Sequence, residues 1–139
     1  LHFYNLPFID KLEELLIKAD ISKLQKDNRV SMFPVNFCRG MNWNAKCIIM
    51  DEAQNSTIKE IITVLTRLGK FSKCFVLADP SQTDLTNGKR GAFESIFSLL
   101  SDEESKQNGI YTFAFGQEDI MRSDLVRFLS EKFKTLSHA

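Results

Sequence analysis

The chain has 139 residues, 43% of them hydrophobic and 26% charged, and its 18 Lys and Arg balance its 18 Asp and Glu. That length suits one hydrophobic core, the composition is that of an ordinary globular protein, and zero net charge argues against a dedicated polyanion-binding surface, leaving room only for local patches. No stretch is long and apolar enough to span a membrane and none reads as a signal peptide, so the expectation is a single cytoplasmic domain with no membrane partner.

In chain order, Phe8 to about Gln25 reads as a helix, with Leu12, Leu15, Leu16 and Ala19 on one face and Asp10 as its N-cap. Arg29 to Val35 reads as a strand entered through Lys26-Asp27-Asn28. Lys46 to Met50 is a second strand, continuously apolar and therefore expected to be buried on both faces. Thr57 and Glu60 have the spacing of a capping box, Ile58, Ile61, Ile62, Leu65 and Leu68 recur at helical spacing, and Gly69 stands where a C-cap glycine belongs, so 57–68 is a helix. Lys73 to Ala78 is a third strand. A crossover helix between it and the strand before makes the two parallel. Thr86 to Arg90 is a loop, and Gly91 to Leu100 a short helix carrying Phe93, Ile96, Phe97 and Leu100. Ser101 to Asn108 is a charged loop or helix extension. Tyr111 to Phe115 is a strand with alternate aromatics. Ser123 caps a last helix running to about Leu136, with Leu125, Val126, Leu129 and Phe133 inward.

Several residue types invite chemistry and have a plainer reading. Cys38, Cys47 and Cys74 are scattered, two of them in strands, and read as core residues rather than metal ligands or disulfides. Twelve phenylalanines raise the prospect of stacking on nucleic-acid bases, but most fall at core-facing positions of the expected elements. Lys70, Lys73, Lys89 and Arg90 lie in connections around the sheet and read as a solvated surface, with phosphate contact as the alternative. His2 and His138 receive no role.

The sharper signal is at two strand ends. Cys47-Ile48-Ile49-Met50 runs into Asp51-Glu52, as a Walker B strand does in a P-loop ATPase. A buried strand that delivers two carboxylates to the sheet edge supplies one acid for Mg²⁺ and one to orient an attacking water. The plainer alternative is a strand that stops in a solvated Asp-Glu turn. The next strand ends in Leu77-Ala78-Asp79-Pro80-Ser81-Gln82. Pro80 and Ser81 force a turn, and Gln82 has both a donor and an acceptor to offer a γ-phosphate and a water. Read singly, this too is a strand exit with Asp as a turn residue. Together the two form a βαβ unit with polar groups at one edge.

Arg39-Gly40, Asp51-Glu52-Ala53-Gln54-Asn55, Thr66-Arg67-Leu68-Gly69, Asp79-Pro80-Ser81-Gln82-Thr83-Asp84-Leu85 and Asp119-Ile120-Met121-Arg122 follow the order and spacing of PhoH-like proteins. These resemble superfamily 1 helicases in having a RecA-like ATPase domain. The resemblance covers roughly residues 30–130, and the ending Glu-Asp-Ile-Met-Arg-Ser-Asp-Leu-Val looks more like phage members, which would place the protein in a host cytoplasm. It implies an α/β three-layer sandwich with a mostly parallel sheet, a partial RecA-like P-loop NTPase core. It assigns Asp51 to Mg²⁺ (mostly through water), Glu52 to water activation, Gln82 to γ-phosphate sensing with Asp79 beside it, and Arg122 to charge neutralisation on the transferring phosphoryl group. Since one RecA-like domain has no second domain to supply an arginine, Arg122 is expected to act across a boundary between copies in a homo-oligomer. The alternative is a surface pair of Arg122 with Asp119 or Asp124. Two positions depart from the family pattern: Ala78 where it usually has Gly, and Met41 where it usually has a second Arg.

No G-x-x-x-x-G-K-[ST] occurs; Gly69-Lys70 and Gly88-Lys89 lack the upstream spacing. In PhoH-like proteins that loop precedes the stretch beginning at Leu1, so the expectation is the C-terminal part of a longer protein, with a chain that has lost nucleotide binding as the alternative. The resemblance places the P-loop strand between the two acid-bearing strands. Without it they either close up directly, take a strand from another copy, or take residues near the N-terminus. The expected function is ATP hydrolysis with Mg²⁺ when an upstream P-loop is present, with RNA or single-stranded nucleic acid as the partner that the resemblance suggests. A non-catalytic binding or assembly module on the same scaffold is the alternative.

Overall fold

Two short apolar runs, β1 (Cys47–Met50) and β2 (Lys73–Val76), pair in parallel with Cys47 opposite Lys73 and Met50 opposite Val76. The computed structural model describes residues 6–83, 91–119, 121 and 123–134. Its helices are α1 (Leu6–Leu15), α2 (Lys18–Lys26), α3 (Ile58–Leu65), α4 (Ala92–Leu99), α5 (Glu103–Gln107) and α6 (Asp124–Lys134). The mix of helices with a parallel, open two-stranded sheet is an α/β fold. The chain divides into two compact units, Leu1–Glu94 and Ser95–Ala139. Among the described residues no helix is long and apolar enough to cross a membrane.

In the first unit α3 joins the strands, as the parallel pairing requires. Its start is a full capping box. Thr57 Oγ1 accepts from the Glu60 N–H at 3.3 Å, and Glu60 Oε2 accepts from the Thr57 N–H at 2.8 Å. The helix buries Ile61 and Val64 and packs against the 3₁₀ turn Val35–Cys38, where Cys38 is also buried. Met50, Ala53 and Trp43 complete this core.

The sheet needs no filler. Leu77 N–H donates to Met50 O at 2.8 Å and Lys73 N–H to Lys46 O at 2.9 Å, so the ladder is bonded at both ends and nothing lies between the strands. β1 and β2 are direct neighbours, which leaves no place between them for the P-loop strand that the resemblance put there. Burial on both faces does not hold. Ile48, Met50, Cys74 and Val76 are covered to varying degrees, whereas Cys47, Ile49, Lys73 and Phe75 are exposed. A strand reading based on apolar content counts residues but not the layers available to cover them.

Other expectations are corrected. The long N-terminal helix is two helices that break at Leu16-Ile17 and pack on each other. Leu15 is exposed, Ile21 is buried, and Asp10 lies inside α1 rather than at its cap. No Pro or Gly stands at the break. The expected strand 29–35 is absent. Arg29 and Val30 N–H groups bond back to Leu24 O, finishing α2, and Asn28 turns the chain with φ 52°. Gly69 is not a C-cap. The cap of α3 is Thr66, whose hydroxyl donates back to Ile62 O at 2.8 Å. Gly69 instead sits against residues 42–44, where its N–H donates to Trp43 O at 2.7 Å beside a Trp43–Leu68 bridge.

In the second unit α5 is capped at both ends. Asp102 accepts from the Ser105 N–H at 2.8 Å, and hydrogen bonding from the Ser105 side chain and then its N–H holds the Asp102 carboxyl below the usual range. At the other end Gly109, at φ 81°, closes a Schellman turn in which Gly109 N–H meets Lys106 O and Ile110 N–H meets Ser105 O, both at 2.9 Å. Tyr111–Phe115 forms no strand, and Tyr111, Phe113 and Phe115 are exposed. Ser123 does begin the last helix, with its Oγ accepting from Val126 N–H at 3.4 Å. Leu125, Leu129 and Phe133 are exposed rather than inward. The core reading of the phenylalanines fails likewise: Phe33, Phe37, Phe71 and Phe75 are exposed. The loop 86–90 and the end of the last helix near Leu136 lie outside the described residues.

Candidate active site

Beyond Met50 the chain leaves β1 through Asp51 and Glu52 and reverses at once. Glu52 adopts a left-handed conformation, φ 54° and ψ 35°, which costs a non-glycine residue on the order of 1 kcal/mol. One 3₁₀ turn, Ala53–Asn55, follows, and Ala53 N–H donates to Leu77 O at 2.9 Å. That bond clamps the Asp-Glu corner onto the end of β2. Both carboxylates are on exposed residues while Ala53 and Gln54 beneath them are buried.

Gln54 is the polar residue of this core, 4% exposed. Its Nε2 donates to Glu52 Oε2 at 2.6 Å, its Oε1 accepts from the Asp79 N–H at 3.1 Å, and its backbone carbonyl accepts from Thr83 Oγ1 at 3.2 Å. A buried primary amide must find partners. Here those partners are the acid after β1 and the backbone after β2.

At the end of β2 the Asp79 carboxylate organises its own turn. Oδ1 accepts from Ser81 N–H at 3.0 Å and Ser81 Oγ at 2.6 Å, and Oδ2 accepts from Gln82 Nε2 at 2.5 Å. Asp79 is thus the N-cap of the 3₁₀ turn Pro80–Gln82, with Pro80 at its first position. Glu52, Gln54, Asp79 and Gln82 form one hydrogen-bonded chain along the carboxyl edge of the sheet, the edge where open α/β sheets bind ligands. Asp51 adjoins it in sequence. Arg122 lies outside the described residues.

Among the described residues no group of three or more His, Cys, Asp or Glu is placed to cage a metal. A single exposed carboxylate such as Asp51 suits Mg²⁺, which keeps several waters and takes one or two protein carboxylates. The cysteines are free thiols away from this edge chemistry. Burial raises Cys38, and burial together with the nearby Cys47 pushes Cys74 up to about 11. Gln54 is the functional candidate to which sequence reasoning gave no role. Its signal in the sequence was only its type and place, a Gln two residues after the Asp-Glu pair, and nothing there names its partners.

The family described as PhoH-like protein matches residues 1–134. A PhoH-like protein of Synechocystis sp. is 32% identical over 128 residues, covering 92% of this chain and 38% of the relative. One from Mycobacterium tuberculosis is 32% identical over 123 residues, with 88% of this chain and 34% of the relative covered. Protein PhoH of Escherichia coli is 36% identical over 102 residues, 70% of this chain and 26% of its own length. The chain thus spans roughly a third of the relatives it matches, and by the match along nearly its whole length it belongs to the PhoH-like family.

Proposed function

We propose that this chain forms the hydrolytic edge of an ATPase whose phosphate-binding loop is supplied by a segment outside these residues. Asp51 would hold Mg²⁺, and Glu52 takes a proton from the attacking water. Gln82, with Asp79 behind it, reports the γ-phosphate, and Arg122 offsets negative charge on the transferring group from a neighbouring copy in a homo-oligomer. Mg²⁺ would supply charge neutralisation on the phosphate oxygens. RNA or single-stranded nucleic acid is the partner that would be acted on; this rests on family resemblance.

The observation that carries the reading is the juxtaposition of two acid-bearing strand ends. β1 and β2 lie side by side, so Asp51-Glu52 and Asp79–Gln82 share one sheet edge, and Gln54 joins them through bonds of 2.6 and 3.1 Å. Two unrelated solvated turns would need no such tie.

Three measurements test it. Calorimetric titration of these 139 residues with Mg-ATP should show no binding in the micromolar range, because backbone N–H groups of a P-loop normally make most phosphate contacts. A protein carrying this chain behind a P-loop should bind ATP and hydrolyse it in a Mg²⁺-dependent way, and Asp51→Asn should lose the metal dependence together with turnover. Binding without any turnover would favour the non-catalytic module. For Arg122, mixing Glu52→Gln and Arg122→Ala proteins should restore part of the hydrolysis. Zero activity at every ratio, with subunit exchange demonstrated, would exclude the trans role.

A further inference from the structure

We infer that Gln54 is a positioning residue that holds the Glu52 carboxylate in register with the loop after β2. The inference rests on the proposed role of Glu52. Glu52 is exposed and sits in a left-handed backbone conformation, so nothing in its own helix or strand fixes its side chain. Its described hydrogen-bond partner is Gln54 Nε2 at 2.6 Å, a short bond to a charged acceptor. Gln54 is itself immobilised. It is 4% exposed, its Oε1 accepts from Asp79 N–H, and its carbonyl accepts from Thr83 Oγ1. One amide therefore faces both ways: the donor end sets the acid and the acceptor end reads the backbone of the Asp79 turn. Any shift of that turn, which also carries Gln82, reaches the Glu52 carboxylate through a rigid planar group.

Gln54→Glu keeps an oxygen to accept from Asp79 N–H but sets a second carboxyl against Glu52, which repels it or shares its proton. Gln54→Met keeps the volume and removes both side-chain hydrogen bonds. A role confined to holding the fold predicts that any loss of kcat follows the loss of stability in the melt and is the same whether or not Glu52 is present. The positioning role predicts that both variants lose kcat by roughly ten-fold to a hundred-fold, with KM for Mg-ATP changed less than about three-fold, because misaiming a catalytic group by an ångström costs that much.

The experiment is steady-state ATP hydrolysis by the P-loop-bearing protein for Gln54→Glu, Gln54→Met, Glu52→Gln and the double variant Glu52→Gln/Gln54→Met, with a thermal melt of each. In the positioning role Gln54→Met lowers kcat in the parent and does nothing further once Glu52 is replaced. An equal fold-loss in both backgrounds, or a folded Gln54→Met protein with wild-type kcat, overturns the inference and leaves the ATPase reading standing. A Glu52→Gln protein with wild-type turnover overturns the reading and the inference together.

Discussion

Gly69→Ala tests the packing that brings β2 alongside β1. A Cβ at Gly69 would lie 2.8 Å from Trp43 O and from Asn42 Oδ1, and nearer still to Asn44 Oδ1. Trp43 O cannot retreat freely, since it accepts from Gly69 N–H at 2.7 Å and Ser72 Oγ at 2.6 Å. Asn44 can rotate, but its Oδ1 then gives up the Lys70 N–H that it accepts at 2.9 Å. Overpacking against backbone costs about 1–3 kcal/mol and the lost bond about 1 kcal/mol. The stiffer unfolded chain returns about 0.4–1 kcal/mol. The net expectation is a loss of roughly 1–3.5 kcal/mol, or a fall in Tm of about 3–12 °C at this chain length. Trp43 is the sole tryptophan and is buried at the contact, so its fluorescence during a thermal melt reports on this unit. A variant that melts at or above the wild-type temperature would show that residues 42–44 do not close on Gly69, and the register of the sheet would have to be reconsidered.

Other predictions follow from burial. Ile61 is fully buried, so Ile61→Ala should cost about 2–5 kcal/mol in urea denaturation, whereas Ile62→Ala one position on, 49% exposed, should cost under about 1 kcal/mol; equal costs would contradict the assigned face of α3. An aromatic disulfide reagent at pH 8 should label Cys47 quickly and Cys38 and Cys74 only on unfolding, since Cys47 is exposed and burial raises the other two thiols. The sign of the linked pH effect is fixed. Cys74 has a raised folded-state value, so its share of stability is present below the ordinary thiol range and is lost as pH climbs towards about 11. The Asp102 cap runs the other way: its lowered value favours α5 above the ordinary carboxylate range, and the contribution is lost as pH falls below it, read as loss of helix signal in acid.

Local signals in the sequence were good guides where a few residues decide the structure. Thr57 and Glu60 form their capping box, and the apolar runs after Lys46 and Ser72 become parallel strands because α3 fills the crossover. Asp79 turned out to cap its own turn, as its Pro-Ser sequel suggests. The break at Leu16-Ile17 was not legible, since no helix-breaker marks it. The rest of what was not legible depended on tertiary packing. Gly69 looks like a cap until residues 42–44 are seen against it. Arg29 to Val35 has strand-like residues, but its first N–H groups are taken by the end of α2. The aromatics of 111–115 alternate as a strand should, yet no described strand pairs with them. At the site, the acids stood out by type and spacing, whereas the link through Gln54 needed coordinates, because an amide bridging residues 25 apart leaves no periodic trace.

The most direct test of the account is Glu52→Gln in the P-loop-bearing protein, assayed for both ATP binding and turnover. The substitution preserves shape and removes the charge that would accept the proton of water. The account predicts binding of Mg-ATP within a few-fold of wild type and a fall in kcat of about a hundred-fold or more. Turnover within a few-fold of wild type would contradict it, because Glu52 would then not be the carboxylate that activates water.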